Sequence, residues 1–500
     1  MKFLSSPKFW LLSALCLLPL MISNDSLWLD EGNTAIYALQ PDLKYFFHRL
    51  WIDRQADCQM PLSMFCTWIG GVILGLDSEW QLRAGNFFWG AAALIALARI
   101  GRRLEIPWLP MLLAIQPYFW FYMNEARPYA LELGGGAWVL VALVEFVLDH
   151  AAGTIWAWTL AIAGFLLFGA TMLAVLPVGM TVLAGAFFAW RHGWRLERRA
   201  AKILLLGLTA CVPLAAFYAT TLYHGVIGAQ VWRVDAKFVA YVFYEFTGMG
   251  GIGLSYADIR ELARSPQLAH ELAARLPQLL LPALLGVMLV GIFFQGLRRR
   301  LSLRPPTVPL AIVLALGLTA GVLVTASLVL HKAFWARHYA PVFPFYVTLL
   351  GIALAGIFSG QRSWRRRWPV LALALLLWSA LAFRFAPALR KEDYRSAVRF
   401  TKQTLVEGKS VWWLASGYPA IYYDLDVAFN QPQPGKPFCP LRSPLDLHTL
   451  PLPDVVVISK PDLHDPDGAV QKIIAENHYG IATRYQSFTI WTNAVVKPEN

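Results

Sequence analysis

The polar residues that could do chemistry gather at the edges of apolar segments. Asp30 and Glu31 follow the first apolar run, and Asp57 precedes a later one. Arg83 opens another, Glu125 and Arg127 sit at the end of the next, and Arg337 with His338 precedes a late one. Ionisable groups beside hydrocarbon are costly to keep, so each is a candidate for function. Carboxylates can accept a proton, and guanidinium forks can grip an oxyanion at two points. No P-loop or glycine-rich phosphate cradle occurs, which argues against an ATP-driven machine. His224 and His331 could ligate a metal with a nearby acid, although a lone histidine is more often a hydrogen-bonding residue.

The elements that must position these residues are membrane helices. Apolar residues make up 57% of the 500-residue chain and charged residues 15%, far from the roughly 25% charged of ordinary globular proteins. Runs of about 20 apolar residues recur, the length a bilayer core of about 30 Å requires. Backbone groups in lipid must be satisfied within their own segment, so these runs are helices. The alternating segments of a β-barrel are absent. The net charge of +12 does not point to nucleic acid. Its arginines cluster in short loops (Arg99–Arg103, Arg191–Lys202, Arg298–Arg304, Arg362–Arg367), where the positive-inside rule and anionic lipid headgroups place them.

These basic loops order about eleven transmembrane helices, at about 8–24, 83–100, 107–123, 130–148, 154–172, 173–190, 203–220, 276–296, 307–330, 339–358 and 369–386. The N-terminus is cytoplasmic, and the first helix is an uncleaved anchor. Residues 1–390 then form one transmembrane module with outer loops 24–79 and 221–275. Within the first loop, Pro61–Leu76 reads as a helix at the outer interface, because counting it as a span would put Arg99–Arg103 outside. The candidate residues all fall on the outer, non-cytoplasmic face of the membrane. The aromatics Trp232, Tyr241, Phe243, Tyr244 and Phe246 read as an interfacial belt or the lining of a lipid groove. Residues 391–500 read as a small periplasmic α/β domain: helices at Glu392–Leu405 and Gly468–Glu476, buried strands at Ser410–Ser416 and Asp454–Lys460, a Pro-rich loop at 431–444 and a closing hairpin at about 480–492. Cys58 and Cys439 face the same oxidising side and could bridge.

Five segments in order carry a resemblance. WLDEGNTA (Trp28–Ala35), DCQMPL (Asp57–Leu62), the Leu-Arg step at Arg83, NEARPYAL (Asn124–Leu131) and RHYAPVFP (Arg337–Pro344) resemble motifs of polytopic GT-C-fold glycosyltransferases. These are the kind related to protein O-mannosyltransferases and the lipid A aminoarabinose transferase. Gln59 and Met60 replace two usual residues of the second motif, and His338 stands where tyrosine is common. The resemblance covers about residues 1–390. It implies an all-α polytopic GT-C-like fold and a sugar donor carried on a polyprenyl phosphate. The acceptor would be a lipid, protein or glycan at the outer face. No cofactor is demanded; a divalent metal is compatible with it.

Within that implied chemistry Asp30 is the general base for the acceptor hydroxyl, and Glu31 orients the acceptor or the base. Arg127 and Arg337 meet the phosphate, with Arg83, Asp57, Glu125, Tyr129 and His338 completing the substrate site. Phosphate is already a good leaving group, so one carboxylate suffices and the anomeric carbon is inverted; hydrolytic glycosidases need a second acid. Structural readings stand beside these. Asp30 could cap a helix starting at Gly32, Glu125 and Arg127 could pair with each other, Arg83 and Arg337 could be snorkelling anchors, and Asp57 could be a solvated loop residue. Two other functions compete: a transporter or flippase of lipid-linked sugar, and a non-catalytic envelope assembly component. The absence of an internal repeat counts against a transporter of inverted halves.

Overall fold

The computed structural model describes residues 6–53, 56–149, 153–224, 234–256, 258–259, 262, 265, 267–303, 307–359, 367–427, 437–441, 447 and 450–493. Trp232, Arg304, Arg362, Arg365, Arg366 and most of the Pro-rich stretch lie outside them. Eight helices among the described residues are long and apolar enough to cross a membrane, and Pro7–Met21 and Ile155–Ala170 are shorter apolar helices. Pro61–Leu74 has 14 residues, a length of about 21 Å that falls short of the hydrocarbon core.

The remaining expected span is broken. Leu109–Ala114 and Pro117–Met123 are separate helices, because Pro117 has no N–H to continue the ladder and forces Gln116 into an extended conformation. Side chains take over the freed carbonyls: Trp120 Nε1 donates to Ala114 O at 2.6 Å and Gln116 Nε2 to Leu112 O at 3.1 Å.

Contacts divide the chain into two units: residues 1–23, 42–70 and 83–389 form one, and 24–41, 71–82 and 390–500 the other. The sequence reading kept the whole first outer loop with the membrane module. In the structure, residues 24–41, which carry Asp30 and Glu31, and 71–79 group with the C-terminal chain, while 42–70 stay with the first unit.

The first unit is built around the Tyr129–Asp149 helix, which is apolar nearly all round and buried. Gly136 lets the segment before the Phe343–Phe358 helix reach it: a Cβ there would stand 1.9 Å from the Pro341 carbonyl oxygen. The far end of the helix is closed by charge. Glu145 accepts from Arg99 Nε at 3.0 Å and Arg103 Nε at 2.9 Å, and Arg300 Nη2 donates to Leu104 O at 3.1 Å. Part of the first basic cluster thus pairs with Glu145 while remaining partly exposed.

The second unit is a five-stranded sheet, β1 (Val411–Leu414), β2 (Phe438–Pro440), β3 (Val455–Ser459), β4 (Tyr479–Tyr485) and β5 (Phe488–Asn493), in the order β2-β1-β3-β5-β4. The first three are parallel and the last two form an antiparallel hairpin with a bulge at Ile481/Thr483. The central strands are buried on both faces and therefore read as unbroken apolar runs. Trp413, Val455 and Val457 pack with the Tyr394–Val406 helix, while Trp412, Leu414, Val456 and Ile458 pack with Ala469–Glu476. The expected elements of this domain are present; Gly417–Tyr422, β2 and Pro461–His464 are additional.

Candidate active site

The NEARPY turn in the first unit is held from below by two side chains. Asn86, at the start of the Asn86–Leu104 helix, donates Nδ2 to the carbonyls of Met123 (3.0 Å) and Glu125 (2.7 Å). Arg83 is fully buried and donates Nη1 to Ser23 O at 3.0 Å, while Asn124 Oδ1 accepts from Ser23 N–H at 2.7 Å. Arg83 is therefore a brace between segments, not a snorkelling anchor.

Arg127 projects from this turn into the interior. It pairs with Asp57, not with Glu125: Nη1 lies 2.5 Å from Asp57 Oδ1, with side-chain exposures of only 7% and 3%, and Nη2 approaches Met60 Sδ at 3.8 Å. Asp57 is thus no solvated loop residue. Glu132, one turn into the Tyr129–Asp149 helix, is buried in the electrostatic field of both Arg127 and Arg337. Its Oε2 has no hydrogen-bond partner among the described residues. The structure therefore pairs Asp57 with Arg127 and places Glu132 within the electrostatic reach of Arg127 and Arg337. Glu125 is buried, and Tyr129 stacks edge-on against Tyr122 at 4.7 Å. His338 lies with Nδ1 3.1 Å from the Trp335 carbonyl, which makes Nδ1 the protonated nitrogen.

Sequence reading missed Glu132 and Glu245. A carboxylate inside an apolar run was the available signal for each. Glu245 is buried and accepts the Tyr122 hydroxyl at 2.7 Å. The aromatics around it form a core, not an interfacial belt: Tyr241 packs on Trp335, Tyr244 donates to Leu254 O, and Phe246 meets Tyr118 and Phe343. Phe243 alone of these four is exposed.

Asp30 and Glu31 belong to the second unit. Leu29–Ala38 is a helix whose N-cap is Trp28, so Asp30 lies inside its first turn and does not cap a helix at Gly32. That location favours a carboxylate, since the helix N-terminus carries partial positive charge. Glu31 is fully buried; its Oε2 accepts the Trp28 N–H at 3.4 Å and lies 3.7 Å from Lys391 Nζ. Glu392 pairs with Lys460 and accepts the Leu29 N–H, and the charge of Asp30 reaches it. Burial pushes the Glu392 carboxyl up, against the pull of Lys460. The Trp28 ring lies between two ammonium groups, Lys391 at 5.9 Å and Lys460 at 5.6 Å. Gly32 rests on Pro419 so closely that a Cβ would meet the ring at 2.3 Å. Glu79 ties the loop down further, accepting from Tyr423 Oη at 2.7 Å and Arg395 Nε at 3.0 Å.

All five cysteines are free, so the expected option of a Cys58–Cys439 bridge is not realised; Cys58 Sγ instead donates to Leu50 O at 2.8 Å. No group of three or more His, Cys, Asp or Glu side chains is placed to hold a metal among the described residues. His224 and His331 are exposed. Two cavities, of about 250 and 270 Å³, lie toward the Glu145 end of the first unit and are lined by none of the candidate residues.

No protein-family model and no curated protein matches the sequence. Among solved structures, the chain is similar to ArnT from Cupriavidus metallidurans bound to undecaprenyl phosphate, with a TM-score of 0.51 over 98% of both chains at 13% identity. The two chains share a fold. It is the GT-C-like architecture, an all-α polytopic membrane protein with a small C-terminal α/β domain. The Archaeoglobus fulgidus oligosaccharyltransferase, in complex with Zn and sulfate, matches with a TM-score of 0.40 over 87% of this chain and 64% of that one, at 14% identity.

Proposed function

We propose that the protein is a glycosyltransferase of the inner membrane. It moves a sugar from a polyprenyl-phosphate donor to an acceptor hydroxyl of a lipid, protein or glycan at the periplasmic face, with inversion. The observation that carries this reading is the buried guanidinium of Arg127, held by Asp57 and grouped with Arg337 around Glu132, on a fold shared with a protein crystallised with undecaprenyl phosphate. A phosphate that loses its sugar gains negative charge, and preorganised guanidinium groups stabilise that charge as it develops.

In this reading the Asp30 carboxylate takes the acceptor proton as the acceptor oxygen bonds to the anomeric carbon. The bond from that carbon to the phosphate oxygen breaks, and polyprenyl phosphate departs. Glu31, committed to Lys391 and the Trp28 N–H, orients the helix that carries the base. Tyr129, Glu125, His338 and Arg83 shape or brace the donor site.

A flippase is disfavoured by one observation. Glu132 and Glu145 occupy opposite ends of the Tyr129–Asp149 helix, and the 12 positions between them are apolar or glycine. That leaves about 20 Å without a polar relay on this buried helix.

The test is transfer by purified protein in nanodiscs supplied with a polyprenyl-phosphate sugar. Asp30→Asn is expected to lose transfer by ~10²-fold or more while donor binding persists. Arg127→Ala is expected to lose donor affinity. Full transfer by Asp30→Asn removes it as the base, and movement of intact donor across liposomes without sugar release selects the flippase.

A further inference from the structure

Trp28 stands at the N-cap of the helix bearing Asp30, and its indole has no acceptor to offer the first N–H groups. Helices leave their first N–H groups unsatisfied, and such groups need partners when they are covered. Here Glu31 takes the Trp28 N–H and Glu392 takes the Leu29 N–H. Glu392 lies 363 residues beyond Leu29, at the entry to the C-terminal domain, and is 5% exposed. It is neutralised by Lys460, from the end of β3, and its neighbour Lys391 neutralises Glu31. The two ammonium groups meet again at the Trp28 ring. Two acids, two lysines and an aromatic ring thus surround the first turn of this helix, and Pro419 presses on it at Gly32.

We infer that Lys391, Glu392 and Lys460 are positioning residues that fix the first turn of the Leu29–Ala38 helix, and with it Asp30, so that the C-terminal domain is part of the transfer apparatus. This rests on the reading of Asp30 as the base. Buried ion pairs add little net stability and are better suited to setting one arrangement among several. Charge-assisted bonds to backbone N–H groups fix direction as well as distance. A domain that served only as a partner-binding appendage would need none of these contacts to the acid-bearing helix.

The experiment uses the full chain in nanodiscs with Glu392→Gln, Lys391→Met, Lys391→Arg and Lys460→Met. For Glu392→Gln, Lys391→Met and Lys460→Met, kcat is expected to fall by about 10–100-fold, the scale of misplacing a reacting group, with the donor KM within about twofold. Lys391→Arg is expected to recover most of the loss. Hydrogen exchange gives a second readout that does not depend on activity. In Glu392→Gln, amides of residues 29–31 should exchange ~10-fold faster or more, the loss of one charge-assisted bond, while strands β1 and β3 stay protected. Unchanged exchange at 29–31, or parallel loss of protection in β1 and β3, overturns the inference. Retained transfer by Asp30→Asn instead overturns the assignment of the base and leaves the exchange result to judge the positioning contacts.

Discussion

Removing Asp57 isolates the charge of Arg127 and tests how the first unit is held together. The pair is separated by 2.5 Å with both side chains nearly excluded from solvent. At an effective dielectric of about 20, that separation corresponds to an attraction of about 7 kcal/mol. Burying each ion costs several kcal/mol, so the intact pair contributes little net stability, whereas cutting one partner leaves an uncompensated charge and costs about 3–5 kcal/mol. Asp57→Ala and Arg127→Ala are each expected to destabilise by that amount. Asp57→Ala with Arg127→Ala, which removes both charges, is expected to cost clearly less than the sum of the two single changes. The assay is equilibrium unfolding in mixed micelles of increasing SDS fraction, with the four corners of the double-mutant cycle compared directly. A coupling below about 0.5 kcal/mol, with Asp57→Ala as stable as wild type, would refute the argument that the charge is buried and paired.

Gly136→Ala should force the Pro341 segment away from the Tyr129–Asp149 helix, since the added Cβ would stand 1.9 Å from a backbone oxygen. The expected cost is about 1–3 kcal/mol, with a rise in donor KM because the same segment carries Arg337; a thermal midpoint and KM equal to wild type would contradict it. His464 predicts an acid-sensitive C-terminal domain. Burial first, then the charge of Lys460, holds its imidazole down at about 4 from 6.5, against the opposing pull of Asp462. The unfolded chain therefore binds more protons than the folded one between those values, so stability is complete above pH ~6.5 and is lost as pH falls toward ~4, by up to about 3 kcal/mol. Hydrogen exchange of residues 461–476 across that range should show the loss, and His464→Gln should flatten it.

How much of this was legible in the sequence depended on the range of the interaction. Eight of the eleven expected spans are helices long and apolar enough to cross a membrane, and two more, Pro7–Met21 and Ile155–Ala170, are shorter apolar helices, because a run of apolar residues is a local signal. Hydropathy predicts an unbroken span at 107–123 because it ignores the missing N–H of Pro117. Arg127 was weighed against Glu125, its neighbour in sequence, whereas the fold closes a loop of 70 residues to give it Asp57. The aromatics at 241–246 carry the composition of an interfacial belt, and only tertiary packing turns Tyr241, Tyr244 and Phe246 inward. Likewise residues 24–41 look like membrane-module sequence, and their grouping with the C-terminal unit hangs on contacts such as Gly32 on Pro419 that no local pattern announces.

The hairpin that ends the sheet has a consequence for how this domain meets other molecules. Strand β4 lies at the margin of the β2-β1-β3-β5-β4 order, bears the Ile481/Thr483 irregularity and presents Arg484. Bulges and charges on a marginal strand twist and blunt its open row of N–H and C=O groups, which discourages another chain from adding a strand there. Visitors to this edge must be recognised through side chains, and it offers little template from which copies of the domain could begin stacking on one another.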